Sequence, residues 1–292
     1  NPDAPFELTA EESELVEKLH HSFRVSDKLQ RHIRRLFQQG CMYNVCNGNL
    51  LFHASVPLNA DGSLKEVPLP DGKFAGKELM HRIGMIMRSA FRPEAPQPER
   101  EYARDYFWYL WCGPDSPLFG KDRMTTFERY FLTDKEMHTE QKGYYFQFRD
   151  DPAVCDRILD AFGVQGPYRH IINGHVPVHV AKGENPSKAG GKLMVIDGGF
   201  SRAYHRTTGI AGYTLVYHSR GFQLIQHEPF TSTKEAIENG LDIKSSTQIV
   251  EMTGHRMRVR DTDKGHEIQA QINDLRNLVY AYRHGLIKEQ QG

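Results

Sequence analysis

Residues 171–178 read Ile171-Ile172-Asn173-Gly174-His175-Val176-Pro177-Val178, and this stretch predicts how the chain builds a site. A short apolar run ends at a glycine turn that carries a histidine, and loops at the ends of rigid strands often hold functional residues. His53 has the same setting, because it follows Leu50-Leu51-Phe52 and precedes another short apolar run. Two strand-end histidines predict a metal site assembled across a sheet, since neutral imidazole nitrogen binds zinc, manganese and iron. For either histidine alone, a hydrogen-bonded structural residue is the commoner interpretation.

Length and composition indicate a globular protein of one large domain or two ordinary ones. The chain has 292 residues, of which 39% are apolar and 25% are charged. The 37 lysines and arginines equal the 37 aspartates and glutamates, so no net field favours nucleic acid or a membrane. The four cysteines form no CxxC pair, and no apolar run has membrane-spanning length. We therefore expect a cytoplasmic protein with neither nucleic acid nor membrane as a partner.

Periodicity divides the chain into helical and strand-rich parts. Apolar residues at helical spacing predict helices within residues 1–40, and a turn signal at Asn47-Gly48 predicts a β-hairpin over 42–53. Residues 74–112 are predicted to be helical in two pieces, and the aromatic cluster between 102 and 111 is predicted to pack a core. Beyond Ile171, glycine-bordered apolar runs predict strands.

Basic residues follow the His175 turn and could bind a phosphorylated ligand. Lys188 and Lys192 lie in a glycine-rich segment, and Arg202 follows Asp197 and two glycines. Glycine allows close approach of the backbone, and lysine or arginine supplies charge for phosphate. The alternative is a mobile loop with solvated lysines. Asp197 could serve a site or cap its own turn. The loop at 116–123 is a further basic candidate, with a structural role as its alternative.

Common catalytic motifs are missing from the sequence. It contains no GxSxG elbow, no Walker-type loop, no HExxH and no GxGxxG. Cys41, Cys46 and Cys112 lie in apolar or aromatic surroundings, which raise the pKa of a thiol and argue against cysteine catalysis. The residues alone therefore predict only a possible metal and phosphate site.

A longer series of segments, in fixed order, carries a family resemblance. The series includes Leu51-Phe52-His53-Ala54-Ser55-Val56-Pro57 and Ser116-Pro117-Leu118-Phe119-Gly120-Lys121, and it continues through 109–113, 124–131, 172–178, 183–186, 195–200, 207–214, 261–263 and 281–283. These segments resemble class III fructose-1,6-bisphosphatases, a bacterial family related to the calcineurin-like metallophosphoesterases. The resemblance implies an α+β fold, namely the C-terminal half of a metallophosphoesterase sandwich. Residues 41–292 would form this half, with a helical insertion at about 73–165, after a helical segment at 1–40.

The resemblance also implies an activity. It implies metal-dependent hydrolysis of the 1-phosphate of fructose 1,6-bisphosphate in gluconeogenesis, at a two-manganese site. His53 and His175 would be ligands of the second metal. The residues expected to hold the sugar bisphosphate are Lys188, Lys192, Arg202 and Arg206.

The superfamily builds its two-metal site from GDxH, GDxxD and GNH[DE] motifs. This sequence departs from that pattern, because it contains none of them. We therefore expect a C-terminal portion, inactive alone, that needs the N-terminal portion of the same enzyme. A homo-oligomer is left open as a further partner. No catalytic side chain is predicted within it, and the start at Asn1 is consistent with a fragment. His179 is a further ligand candidate. The alternatives are a phosphoprotein phosphatase and a non-catalytic binding or regulatory module of the same fold.

Overall fold

The structure, a computed structural model, describes residues 3–4, 6–230, 232–240 and 245–287. Helices and separate sheets alternate along the chain, which confirms the predicted α+β class. The helices are α1 Ala10–Val25, α2 Asp27–Gln39, α3 Gly76–Ser89, α4 Gln97–Cys112, α5 Thr126–Phe131, α6 Tyr144–Phe148, α7 Pro152–Ala161, α8 Arg202–Thr208, α9 Thr233–Asn239 and α10 Asp263–Arg283. The strands are β1 Tyr43–Cys46, β2 Asn49–Phe52, β3 Val67–Leu69, β4 Gly72–Phe74, β5 His170–Asn173, β6 Ser187–Lys188, β7 Leu193–Val195, β8 Gly212–His218, β9 Gly221–His227 and β10 Ser245–Met252. No helix in these described ranges is long and apolar enough to cross a membrane.

The chain divides into two compact units. The first comprises Asn1–Met42 and His81–Trp108, and the second comprises Tyr43–Met80 and Tyr109–Gly292. The first unit thus combines the predicted N-terminal helical segment with part of the predicted helical insertion. The ten strands of the described ranges all belong to the second unit, which also contains both strand-end histidines.

The first unit begins with two helices that have side-chain caps. Thr9 Oγ1 accepts a hydrogen bond from Glu12 N, and the Glu12 carboxylate accepts one from Thr9 N. This reciprocal capping box satisfies amide groups that a helix start otherwise leaves without partners. α1 ends at Val25, and the Ser26 hydroxyl caps α2 by accepting from Leu29 N. The two capped starts confirm the predicted helices.

The predicted aromatic core is only partly correct. In the first unit Phe37 stacks on Phe91 with 4.2 Å between ring centroids, and Phe107 meets Phe37 edge-on. However, Trp108 is 61% exposed and Trp111 is 54% exposed. The prediction that the whole cluster packs a core was therefore wrong for both tryptophans. Successive aromatic residues on a helix point in different directions, so a continuous run cannot face one core.

A five-stranded sheet forms the centre of the second unit, in the order β1-β2-β5-β7-β6. β2, β5 and β7 run parallel, and β1 and β6 flank them antiparallel, which confirms the hairpin of β1 and β2. Leu50, Ile171 and Leu193 on the parallel strands are 0% exposed. Such continuous apolar runs are typical of parallel strands covered on both faces.

A second sheet, antiparallel in the order β10-β9-β8, lies against the first. Ile172 and Met194 of the first sheet and Phe222 of β9 form a buried apolar cluster. His170 adds a polar connection, because its Nδ1 donates to Asn49 Oδ1 at 3.2 Å while its Nε2 lies 2.9 Å from Glu251 Oε2. Two sheets thus pack within this unit, and the calcineurin-like form of the sandwich stays a prediction.

Glu140 anchors the loop that follows α4. Its carboxylate accepts from Lys121 Nζ at 2.6 Å and from the amide and hydroxyl of Thr125 at 3.0 and 3.1 Å. Burial would raise the pKa of this carboxyl, but the hydrogen bonds from Lys121 and Thr125 outweigh burial and lower the pKa to about 2. The folded state therefore favours the ionised form more strongly than the unfolded chain does.

We predict that this carboxylate makes unfolding pH-dependent. Because its pKa is lowered on folding, its contribution is complete above the unfolded value of 4.5 and disappears as pH falls towards about 2. Glu140→Gln should lower the free energy of unfolding by about 2 kcal/mol at pH 7 and by much less near pH 2. Urea unfolding across this range tests the effect, with the exposed Glu136→Gln as control. An equal loss at both pH values would contradict it.

Candidate metal centre

The parallel pairing of β2 and β5 brings the two predicted histidines together. Asn49 pairs with His170 and Leu51 with Ile172, so the strands are in register where they end. One step further, Gly174 N donates to the carbonyl of His53 at 2.9 Å. His53 and His175 therefore leave the same edge of the sheet side by side, although they lie far apart in the sequence.

The imidazole rings of the two histidines contact each other directly. His53 Nε2 lies 3.0 Å from His175 Nδ1, and the ring planes are inclined at 70°. The other nitrogen of His175, Nε2, lies 3.0 Å from the carbonyl oxygen of Phe119. Because a carbonyl only accepts, Nε2 of His175 carries the proton, and a neutral His175 ring accepts at Nδ1 from His53 Nε2.

The surroundings keep both rings uncharged near neutral pH. Partial burial lowers the pKa of His53, and the charge of Asp197 opposes this shift only in part. Burial and the neighbouring His53 ring together lower the pKa of His175. Neutral imidazole is the form that binds a metal, so both rings have a suitable charge.

The turn that carries His175 is conformationally unusual. His175 has a φ of 71°, in the left-handed region that a side chain with a Cβ adopts at a cost of about 1–3 kcal/mol. Asp197 stabilises the same edge, since its carbonyl accepts from Val178 N at 2.8 Å and its Oδ1 accepts from Gly199 N at 2.9 Å. Asp197 thus acts as a turn cap, the structural alternative left open by the sequence, while its charge still reaches His53.

The distance between the two nitrogens, although not their present hydrogen-bonded orientation, suits one shared metal ion. A metal–nitrogen bond of about 2.1 Å places two ligands at a right angle about 3.0 Å apart, which matches the distance from His53 Nε2 to His175 Nδ1. The Phe119 carbonyl is the kind of outer partner that fixes the tautomer of a metal-binding histidine. Within the described ranges, however, no group of three or more His, Cys, Asp or Glu could hold a metal. This part of the chain therefore offers two candidate protein ligands.

The two lysines predicted to hold substrate form ion pairs. Lys188 Nζ lies 3.2 Å from Glu184 and 3.6 Å from Asp150, and Lys192 Nζ lies 2.7 Å from Asp156. Carboxylates therefore offset the charge of both lysines. Their predicted role in substrate binding stays a prediction.

The other predicted residues lie around α8. Arg202 and Arg206 belong to this helix and are exposed, and His179 Nδ1 lies 3.4 Å from the carbonyl of Thr207. Among the predicted site residues, the structure thus brings the side chains of His53 and His175 into direct contact, and Glu184 contacts both His179 N and Lys188 Nζ. The roles of Arg202 and Arg206 also stay predictions.

Sequence analysis missed several groups that hold the pair. The sequence could not indicate the Phe119 carbonyl, because every residue has a backbone carbonyl. Asn173 Nδ2 donates to the carbonyl of Ala54 at 3.0 Å and to the hydroxyl of Tyr145 at 2.8 Å, which ties β5 to α6. The position of Asn173 two residues before His175 was the only available signal.

The fold and the site define an α+β protein with a two-histidine candidate metal centre at the ends of parallel strands. Residues 1–284 match the model of the family described as Firmicute fructose-1,6-bisphosphatase, and the chain belongs to this family. This confirms the family predicted from the sequence.

Curated relatives share the family name and are longer than this chain. The class 3 fructose-1,6-bisphosphatase of Phocaeicola vulgatus is 63% identical over 290 residues, which cover 99% of this chain and 44% of the relative. The enzymes of the same name from Parabacteroides distasonis and Alkaliphilus metalliredigens are 57% and 51% identical over 100% of this chain and 44% of each relative. The chain thus spans less than half the length of these relatives. No solved structure matches it.

We predict that the loop carrying Phe119 tolerates little added volume. Gly120 has a φ of +68°, and an added Cβ would lie 2.6 Å from the Phe146 ring and 3.0 Å from Ser55 Oγ. Gly163 has a φ of +76° with no atom within 4 Å of an added Cβ. Gly120→Ala should therefore lower the free energy of unfolding by about 1–3 kcal/mol more than Gly163→Ala. Urea unfolding of both variants tests this, and equal losses would argue against close packing at Gly120.

Proposed function

We propose that this chain contributes His53 and His175 to a metal-dependent centre that hydrolyses the 1-phosphate of fructose 1,6-bisphosphate. The observation that carries the proposal is the 3.0 Å separation of two neutral imidazole nitrogens at the ends of parallel strands. Family membership and the name that the relatives share support the substrate. Family membership also favours this activity over that of a phosphoprotein phosphatase.

The residues of this chain orient the ligands and hold their protons. The Phe119 carbonyl keeps a proton on His175 Nε2 and leaves Nδ1 unprotonated. His53 would have to move its proton from Nε2 to Nδ1 before Nε2 could bind a metal. When bound, a divalent cation pair supplies an activated water and offsets the charge of the phosphoryl group. Manganese suits sites of imidazole and oxygen ligands, and we propose it here.

The remaining ligands of a two-metal centre would come from polypeptide outside these 292 residues, in our proposal the N-terminal portion of the same enzyme. Two observations support this proposal. Within the described ranges no third ligand joins the histidine pair, and the relatives are more than twice as long as this chain. The prediction that this chain is a C-terminal portion, inactive alone, depends on the same ligand set. The same ligand set would also suit a non-catalytic module of this family, so the activity experiment is decisive.

A chimera tests the proposed activity directly. This chain would replace the matched region of the Phocaeicola vulgatus enzyme, and phosphate release from fructose 1,6-bisphosphate would be measured with Mn²⁺. We expect turnover, and a loss of more than about 100-fold in kcat/KM for His53→Ala or His175→Ala, because even outer-shell changes cost about 10–100-fold. The exposed His20→Ala is the matched control. An inactive chimera, or full activity of both histidine variants, would refute the proposal.

We predict weak metal binding by the isolated chain. Two neutral imidazoles supply no negative charge to a divalent cation, so Mn²⁺ should bind with a Kd above about 1 μM, or less than about 8 kcal/mol of binding free energy. Phosphate release should be undetectable. Calorimetric titration with Mn²⁺ measures the affinity, and His53→Ala should abolish the binding that remains. Two tight sites in the isolated chain would show that it already contains a complete ligand set.

A further inference from the structure

A pocket of about 280 Å³ opens within the second unit beside the histidine pair. Its walls come from residues 55–58, 114–116, 120–122 and 141–147, together with Lys65. None of these residues was assigned to substrate by the sequence, although the loop at 116–123 was a basic candidate.

Three connections join the pocket to the histidine pair. Ser55, in the pocket wall, follows His53 by two residues. Gly120, also in the wall, follows Phe119, whose carbonyl accepts from His175. On the third side the hydroxyl of Tyr145 accepts from Asn173, two residues before His175. The pocket and the histidines therefore share one set of backbone turns.

The charges at one end of the pocket are suited to an anion. Lys121 and Lys142 are partners in an isolated antiparallel bridge, and like charges placed opposite each other repel. Glu140 offsets the charge of Lys121 at 2.6 Å. Lys142 lies 5.9 Å from the centre of the Phe146 ring, and no carboxylate in the described ranges forms an ion pair with it. An anionic group at this end would offset the unneutralised ammonium group.

Another part of the pocket lining presents charged groups of both signs. Lys65 Nζ lies 2.8 and 2.7 Å from the two carboxylate oxygens of Asp115, and Asp115 adopts a left-handed φ of 64°. The buried Ser55 and Ser116 line the same pocket. Paired charges and hydroxyl groups exchange hydrogen bonds with sugar hydroxyls without demanding a net charge.

We infer that this pocket binds a phosphorylated sugar, with its phosphate at Lys121 and Lys142 and its hydroxyls towards Lys65 and Asp115. The inference depends on the proposed function: the bound phosphate would be the one that is not hydrolysed, while the reacting phosphate lies at the histidine pair. Lys142 thus becomes a specificity residue, in contrast to Lys188 and Lys192, whose charges carboxylates already offset.

Calorimetric titration of the isolated chain in EDTA tests the pocket without a metal. The probes are fructose 6-phosphate and unphosphorylated fructose. We expect fructose 6-phosphate to bind, and fructose to bind at least about 10-fold more weakly. Lys142→Gln should weaken the binding of fructose 6-phosphate by about 10-fold or more. Lys73→Gln, an exposed lysine of β4, should match the wild type. No binding, equal affinity for both sugars, or no effect of Lys142→Gln would overturn the inference.

The chimera separates failure of the pocket from failure of the proposed function. Lys142→Gln in the chimera should raise KM for fructose 1,6-bisphosphate and change kcat much less. If His53→Ala abolishes turnover but Lys142→Gln leaves KM unchanged, the inference about the pocket is wrong and the proposed activity stands. The opposite result is also informative. If Lys142→Gln weakens binding of fructose 6-phosphate but His53→Ala leaves turnover by the chimera unchanged, the proposed activity is wrong and the pocket inference is supported.

Discussion

The parallel pairing of β2 with β5 is the constraint on which the proposed site depends. Leu50 and Ile171 are paired and fully buried, which fixes the register of the two strands. A slip by one residue would turn each side chain to the other face of the sheet and separate His53 from His175. Burial of apolar side chains inside the sheet therefore sets the distance between two polar nitrogens at its edge.

The second feature that governs the site is a single proton between two neutral rings. The Phe119 carbonyl sets the tautomer of His175, and partial burial keeps both rings uncharged. A metal ion would need the lone pairs of the same two facing nitrogens. The loop that carries Phe119 also lines the neighbouring pocket through Gly120, so one backbone turn positions a ligand and shapes the space for substrate.

Local signals in the sequence predicted local structure well. The helical spacing within residues 1–40, the turn at Asn47-Gly48 and the strand-end settings of His53 and His175 all depend on nearby residues. The structure has helices in that segment, the hairpin and the histidine contact. Features set by distant residues were not predictable. The ion pairs of Lys188 and Lys192, the exposure of Trp108 and Trp111, and the bridge between Lys121 and Lys142 depend on which segments meet in space.

The most direct test of the account is pulsed EPR of Mn²⁺ bound to the active chimera, with ¹⁵N-labelled histidine in this chain. We expect hyperfine coupling from two inequivalent imidazole nitrogens on one Mn²⁺ ion, and from only one in either His53→Ala or His175→Ala. Such a result would place both strand-end histidines on the same metal, as we propose. Absence of histidine coupling in an active chimera would contradict the account, because catalysis would then proceed without the pair.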